Sequence, residues 1–189
     1  MKFTETTLQG VYTIDLDPRG DDRGFFSRVF CRDDFAERGL ETEFVQFNTS
    51  FSRIKHTFRG MHYQLGENAE AKVVKVIRGT LLDVVLDLRE DSPSFGKWTA
   101  AELSADNRTM MYVPRGCAHG FMSLTKDVEM VYFVSAFYDP QNERSVRWND
   151  PEFGIELPFE PALISEKDAN ARDFDPAWHL GRTDCLKGD

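Results

Sequence analysis

At 189 residues and a formal net charge of −9, the chain is sized for one well-cored domain. Its overall field excludes nucleic acid and anionic membrane as partners. Hydrophobic residues at 41% against charged residues at 29% exclude a disordered chain, and no apolar run approaches the roughly 20 residues that span a bilayer. In chain order, DDFAERGL (33–40) predicts a short helix with Asp33 as N-cap and Gly39 closing its end. RGMHYQ (59–64) has the look of a short strand, yet it carries a cation, a histidine, a tyrosine and an amide. VVKVIRG (73–79) and LLDVVLDLR (81–89) read as strands joined by a tight hairpin turn at RGT (78–80). MMYVP (110–114) and MVYFVSAFY (130–138) are further strands. From about residue 165 the chain turns polar, and Phe174, Trp178 and Leu180 are expected to anchor this tail to the body. With no repeat and no linker, residues 1–189 read as a single domain.

Many short strands between Gly and Pro turns argue for an all-β jelly roll or barrel, with sixteen phenylalanines available to fill it. In 130–138 one face carries Tyr132, Val134, Ala136 and Tyr138. The other carries Val131, Phe133, Ser135 and Phe137, and is expected to be core. In 81–88 one face holds Leu81, Asp83, Val85 and Asp87; on an inner barrel face these aspartates need partners. MKFTETTLQG has no apolar core of a signal peptide. Cys31, Cys117 and Cys185 are an odd set without metal-ligand spacing, so the expectation is a reducing cytoplasm and no disulfide framework.

Of the four histidines, His62 in RGMHYQ and His119 in VPRGCAHGF have the most suggestive neighbours. Both stretches resemble motifs of the cupin superfamily. The His-x-His of its metal-binding members is replaced here by His62-Tyr63-Gln64. Glu67 and Glu70 are the nearby carboxylates, and no three-histidine set can be assembled there, so no metal is expected. Two other readings stay open from the residues alone: a metal-dependent cupin using His62 and His119, and a sugar-nucleotide-binding cupin without turnover.

DDRGFFSRVF, VQFNTSFS, RGMHYQ, AKVVKVIRGTLLDVVLDLR, VPRGCAHGF, VYFVSAFYDPQNE, RWNDPEFGIELP and LISEKDA follow one another over residues from about 10 to 170. In order and spacing they resemble the dTDP-4-dehydrorhamnose 3,5-epimerase family. The resemblance implies a homodimeric cupin-like jelly roll with no cofactor, epimerising C3, C5 or both of a nucleotide-linked 4-keto-6-deoxy sugar. Inverting a carbon beside a ketone takes a base, a stabiliser for the enolate oxygen and an acid on the opposite face. By position His62 matches the family base, Asp168 the carboxylate that orients it, Lys72 the cation near the C4 oxygen and Tyr132 the proton donor. Tyr138, on the same predicted strand face, is the rival acid. Without the resemblance, Asp168 reads as solvated surface, Lys72 as an exposed strand-edge lysine and Tyr132 as a core tyrosine.

Arg23, Arg59 and Lys167 match family positions around the substrate, suited to a pyrophosphate, with Gln46, Asn48, His119, Tyr138 and Glu143 beside them. Strict alternation puts Arg59 and His62 on opposite strand faces. Arg59 therefore belongs to the preceding turn, to a bulge, or to a reach from a neighbouring subunit edge. One residue and two tripeptides depart from the family pattern near the substrate entrance. Arg28 replaces a common glutamate and is itself a candidate substrate contact. His56-Thr57-Phe58 stands for Gly-Thr-Leu, and Leu65-Gly66-Glu67 stands where a proline pair is usual.

Overall fold

The computed structural model describes residues 1–182. Its strands are β1 (Lys2–Glu5), β2 (Tyr12–Asp15), β3 (Arg19–Asp21), β4 (Gly24–Phe26), β5 (Gln46–Ser52), β6 (Phe58–Gln64) and β7 (Lys72–Arg78). They continue with β8 (Thr80–Asp87), β9 (Trp98–Ser104), β10 (Met110–Val113), β11 (Cys117–Ser123), β12 (Val128–Val134) and β13 (Glu143–Ser145). Three short α-helices, α1 (Arg32–Ala36), α2 (Glu166–Ala169) and α3 (Pro176–His179), and a 3-10 turn at Gly66–Asn68 complete the elements of the described residues. None is long and apolar enough to cross a membrane.

A six-stranded antiparallel sheet in the order β1-β2-β10-β7-β12-β5 faces a five-stranded one in the order β13-β6-β11-β8-β9. This is the expected cupin-like jelly roll. From β5 to β13 the chain changes sheet at every step except β8 to β9. The predicted hairpin at RGT is therefore a corner: β7 pairs with β10 and β12, while β8 pairs with β11 and β9. Gly79 makes the corner with φ +74°, and a Cβ there would lie 2.6 Å from Thr125 Oγ1, so the turn carries the chain from one wall to the other.

The interior between the sheets is Val, Leu and Met: Val74, Val76, Leu81, Val85, Leu103, Met111 and Met130, with Phe121 the one phenylalanine in that cluster. Most other phenylalanines lie elsewhere. Phe35, the buried residue of α1, packs in a cluster with Phe3, Phe30, Phe44 and Phe133 on the outer face of the six-stranded sheet. The predicted core face of 130–138 is thus an outer face. β12 stops at Val134, which leaves Phe137 65% and Tyr138 61% exposed. Just past that end the Ser135 N–H still donates to the Ala71 carbonyl at 3.1 Å, while the Ser135 hydroxyl accepts from the Ala71 N–H at 2.8 Å. Helix α1 is shorter than predicted, and its N-cap is Cys31 with no side-chain cap rather than Asp33. Gly39 at φ +67° closes the turn that follows. Phe174 and Leu180 pack against the outer cluster of the five-stranded sheet, whereas Trp178 lies against Arg144 and Arg172. Cys31 and Cys117 are free thiols; Cys185 lies outside the described residues.

Candidate active site

The two sheets part around a cavity of about 480 Å³, a size suited to a small-molecule ligand. Arg59 and His62 enter it from β6, His119 and Phe121 from β11, Lys72 from β7 and Tyr132 from β12. Lys167 and Asp168 of α2 close one side. The tension over Arg59 resolves in the register. His119 pairs with His62 and Phe121 with Arg59, so three steps on β6 run against two on β11. This β-bulge resets the alternation and turns Arg59 and His62 to the same face. Two glycines permit it: a Cβ on Gly60 would lie 2.4 Å from Gly120 Cα, and one on Gly120 2.9 Å from the Arg59 carbonyl oxygen.

His62 Nε2 lies 2.7 Å from Asp168 Oδ1. Asp168 is buried, at 4% exposure, and its second oxygen accepts from the Gly60 N–H at 3.3 Å. Burial alone would raise its pKa. The hydrogen bond and charge of His62, with the Gly60 N–H and Ser165, outweigh burial and hold it below the ordinary carboxylate value. Ser165 caps α2 by accepting from the Asp168 backbone N–H at 3.1 Å. With a carboxylate beside Nε2, the imidazole proton sits on that nitrogen and the lone pair on Nδ1. The solvated reading of Asp168 is thus excluded.

Lys72 is no edge residue. Its strand lies inside the six-stranded sheet, and Nζ pairs with Glu70 Oε1 at 3.0 Å while both side chains are nearly buried. Tyr132 packs partly on the interior cluster and lines the cavity. Burial first, then the charge of Glu70, raises its pKa, against a smaller opposite pull from Arg59. His119 Nε2 lies 2.7 Å from Asp83 Oδ1, and Asp83 is fully buried with Oδ2 unpartnered. Nε2 of each cavity histidine is thus engaged by an aspartate, and no cluster of three potential metal ligands exists among the described residues.

The remaining candidates divide. Lys167 pairs with Glu143 Oε2 at 2.6 Å at the cavity rim, and the same carboxylate accepts from Tyr138 Oη at 2.9 Å. Tyr138 is off the strand and absent from the cavity lining, so the shared face with Tyr132 does not exist. Gln46 and Asn48 lie on the same face of β5 as Ser50, a cavity residue. Arg59 donates to Ser52 Oγ at 3.2 Å and to the Phe51 carbonyl at 3.0 Å. Arg23, with its side chain 89% exposed, pairs with Asp21 outside the cavity. Arg28 lines a separate hollow of about 210 Å³ with Asp17, Arg19 and Asp34.

The family model for dTDP-4-dehydrorhamnose 3,5-epimerase matches residues 5–175. The chain belongs to this family. It is 41% identical over 179 residues to the dTDP-4-dehydrorhamnose 3,5-epimerase of Salmonella typhimurium, covering 94% of this chain and 97% of that one. The crystal structure of the same enzyme from Elizabethkingia anophelis superposes with a TM-score of 0.89 at 41% identity, covering 92% and 96% of the two chains. The dTDP-6-deoxy-D-glucose-3,5-epimerase of Legionella pneumophila, solved with dTDP-4-keto-L-rhamnose, gives a TM-score of 0.84 at 34% identity, covering 91% and 92%.

Against the family pattern, the departing tripeptide forms part of a cavity wall. His56 takes φ +61°, where the family's glycine would sit without cost, and its ring stacks on Phe159 at 4.2 Å. Thr57 bridges to Leu163, and both line the cavity. Sequence reasoning missed the Asp83–His119 pair, although alternation had put Asp83 on a face where it would need a partner. It also considered Glu70 only as a metal ligand.

Proposed function

We propose that this family member inverts C3, C5 or both of a nucleotide-linked 4-keto-6-deoxy sugar of the dTDP-4-dehydro-6-deoxyglucose type, through an enolate. The observation that supports the reading is that His62 and Tyr132, the base and acid of this proposal, stand on opposite walls of one cavity. His62 and Asp168 belong to the five-stranded side, Lys72 and Tyr132 to the six-stranded sheet. A sugar ring held between them presents one face to each, as inversion requires.

His62 Nδ1 takes the hydrogen α to the ketone, and Asp168 steadies the imidazolium that results. Lys72 holds its ammonium at the developing C4 oxyanion. Tyr132 delivers its proton to the opposite face, and solvent restores the starting protonation states. Arg59 and Lys167 receive the pyrophosphate, with His119, Gln46, Asn48, Glu143 and Tyr138 shaping the approach. The chain works as one domain in a reducing cytoplasm and as a homodimer. The edge strand β5, with Phe47 60% and Phe51 41% exposed, supports the dimer, since such an edge otherwise stays open to pairing. Arg23 and Arg28, outside the cavity of their own chain, serve the nucleotide only through that dimer.

The test is incubation with dTDP-4-keto-6-deoxyglucose in heavy water, counting deuterium at C3 and C5. Deuterium at one or both carbons, with inverted product, is the expected result. No incorporation at either carbon refutes the reading.

A further inference from the structure

Lys72 and Tyr132 are diagonal neighbours on the inner face of one sheet. Lys72 pairs with Val134 across the β7–β12 ladder, and Val74 pairs with Tyr132. Glu70 stands two residues before β7, with its carboxylate 3.0 Å from Lys72 Nζ and the two side chains only 13% and 11% exposed. Nζ otherwise reaches the His62 carbonyl, at 3.4 Å. A lysine has a long flexible stem and no intrinsic geometry, so the carboxylate is what fixes where this ammonium sits.

We propose that Glu70 is a positioning residue for the proton-donating wall: its carboxylate anchors the Lys72 ammonium and keeps Tyr132 in its neutral, proton-bearing form. The proposal rests on the epimerase reading above. An ammonium on the same face as Tyr132 would, left alone, favour the phenolate and spoil the acid. A carboxylate paired to that ammonium cancels the pull while leaving the cation in place for the enolate oxygen. The direction of the Tyr132 titration agrees, being raised by burial and then by the charge of Glu70. The other charged or titratable groups facing Tyr132 across the cavity are Arg59 and His62 from β6, His119 from β11, and Lys167 and Asp168 from α2. Of these, Arg59 opposes the effect.

The experiment compares Glu70→Gln, which keeps the acceptor oxygen and removes the charge, with Glu70→Ala, which removes the anchor as well. A 3-fluorotyrosine placed at position 132 reports its ionisation by fluorine NMR without substrate. Glu70→Gln should lower that midpoint by about half a pH unit or more, roughly a threefold rise in ionised fraction below the midpoint. In turnover, Glu70→Gln should keep deuterium exchange near wild type while the inverted product per exchange event falls as pH rises. Glu70→Ala should also lose kcat roughly tenfold with KM within about twofold, as for an interaction made in the transition state. An unmoved fluorine midpoint in Glu70→Gln overturns the proposal. So does a loss of exchange and inversion in equal measure in Glu70→Gln. A moved midpoint in a protein whose wild type neither exchanges nor inverts the 4-keto sugar refutes the epimerase reading while supporting the coupling of Glu70 to Tyr132.

Discussion

Asp168, 2.7 Å from His62 Nε2, is placed to set the tautomer of that ring. Asp168→Ala removes the charge that stabilises the imidazolium but leaves the ring free to choose its tautomer. A charge-assisted hydrogen bond of this kind contributes about 1.5–3 kcal/mol, so exchange of the substrate's α-hydrogens should fall roughly 10- to 150-fold. Asp168→Asn should be worse. Gly60 donates its N–H to Oδ2 of the native carboxylate. An asparagine that kept its oxygen on His62 would turn its NH2 toward that N–H, donor against donor. The amide therefore flips, accepting from Gly60 and donating to His62 Nε2, which moves the imidazole proton to Nδ1 and removes the base from the cavity. Because the Gly60 contact is long at 3.3 Å, its weight is about 1 kcal/mol, the low end for such a bond. Asp168→Asn should thus run about fivefold slower than Asp168→Ala. The assay is the initial rate of deuterium wash-in, with melting temperatures as a control; the Ser165 cap bonds a backbone N–H and survives both changes. An asparagine variant as fast as the alanine variant would refute the tautomer argument. Either variant within threefold of wild type would remove Asp168 from the chemistry.

Tyr132→Phe should exchange deuterium with retained configuration while inverted product nearly vanishes; Tyr138→Phe, altering an exposed side chain, should invert nearly normally, and NMR of the recovered sugar separates the two. Arg59→Ala and Lys167→Ala should mainly raise KM, and the free sugar should be a very poor substrate; equal turnover of sugar and nucleotide sugar contradicts the binding assignment. Gly60→Ala would drive a Cβ to 2.4 Å from Gly120 Cα at a position with φ +124°, so it should cost at least about 2 kcal/mol of stability, read as a lower melting temperature. Buried Asp87 is pushed up by desolvation, but Arg89, Ser92 and Ser94 bring it net down from 3.8 to about 2. A depressed carboxylate stabilises above its unfolded pKa and loses that contribution as pH falls from about 4 to about 2, on the order of 2 kcal/mol. Asp87→Asn should flatten this acid limb in denaturant titrations, and an unchanged limb would contradict it.

Much of this was legible residue by residue. The strands at Lys72–Arg78, Thr80–Asp87 and Met110–Val113 announce themselves through β-branched and aromatic runs, and the order of eight motifs pointed to His62, Lys72, Tyr132 and Asp168, which one cavity brings together. What failed depended on tertiary pairing. Nothing local distinguishes a hairpin at RGT from a corner between sheets, since either needs a glycine at φ > 0. Just past the end of β12, Ser135 bonds Ala71, a partner 64 residues away that no local pattern names. Arg59 was ambiguous because a bulge is a property of two strands, visible only when β6 meets β11. The lost face of Tyr138 follows from the same limit: alternation holds only while the ladder does.

The corner at Gly79 also bears on how the chain folds. Because successive strands go to opposite walls, most ladders join distant segments: β5 with β12, β6 with β11, and β2 with β10. Loop closure must then be met before most backbone pairing rewards it, which places such a topology among slow folders, on the order of milliseconds to seconds. The His62 wall and the Lys72–Tyr132 wall cannot acquire their geometry separately, since β6, β7 and β12 each have both sequence neighbours in the opposite sheet. Refolding from denaturant should therefore recover the His62–Asp168 contact and the Lys72–Glu70 contact in the same kinetic phase. While that phase runs, the apolar edge of β5 is exposed to other chains, so refolding yield should fall as protein concentration rises.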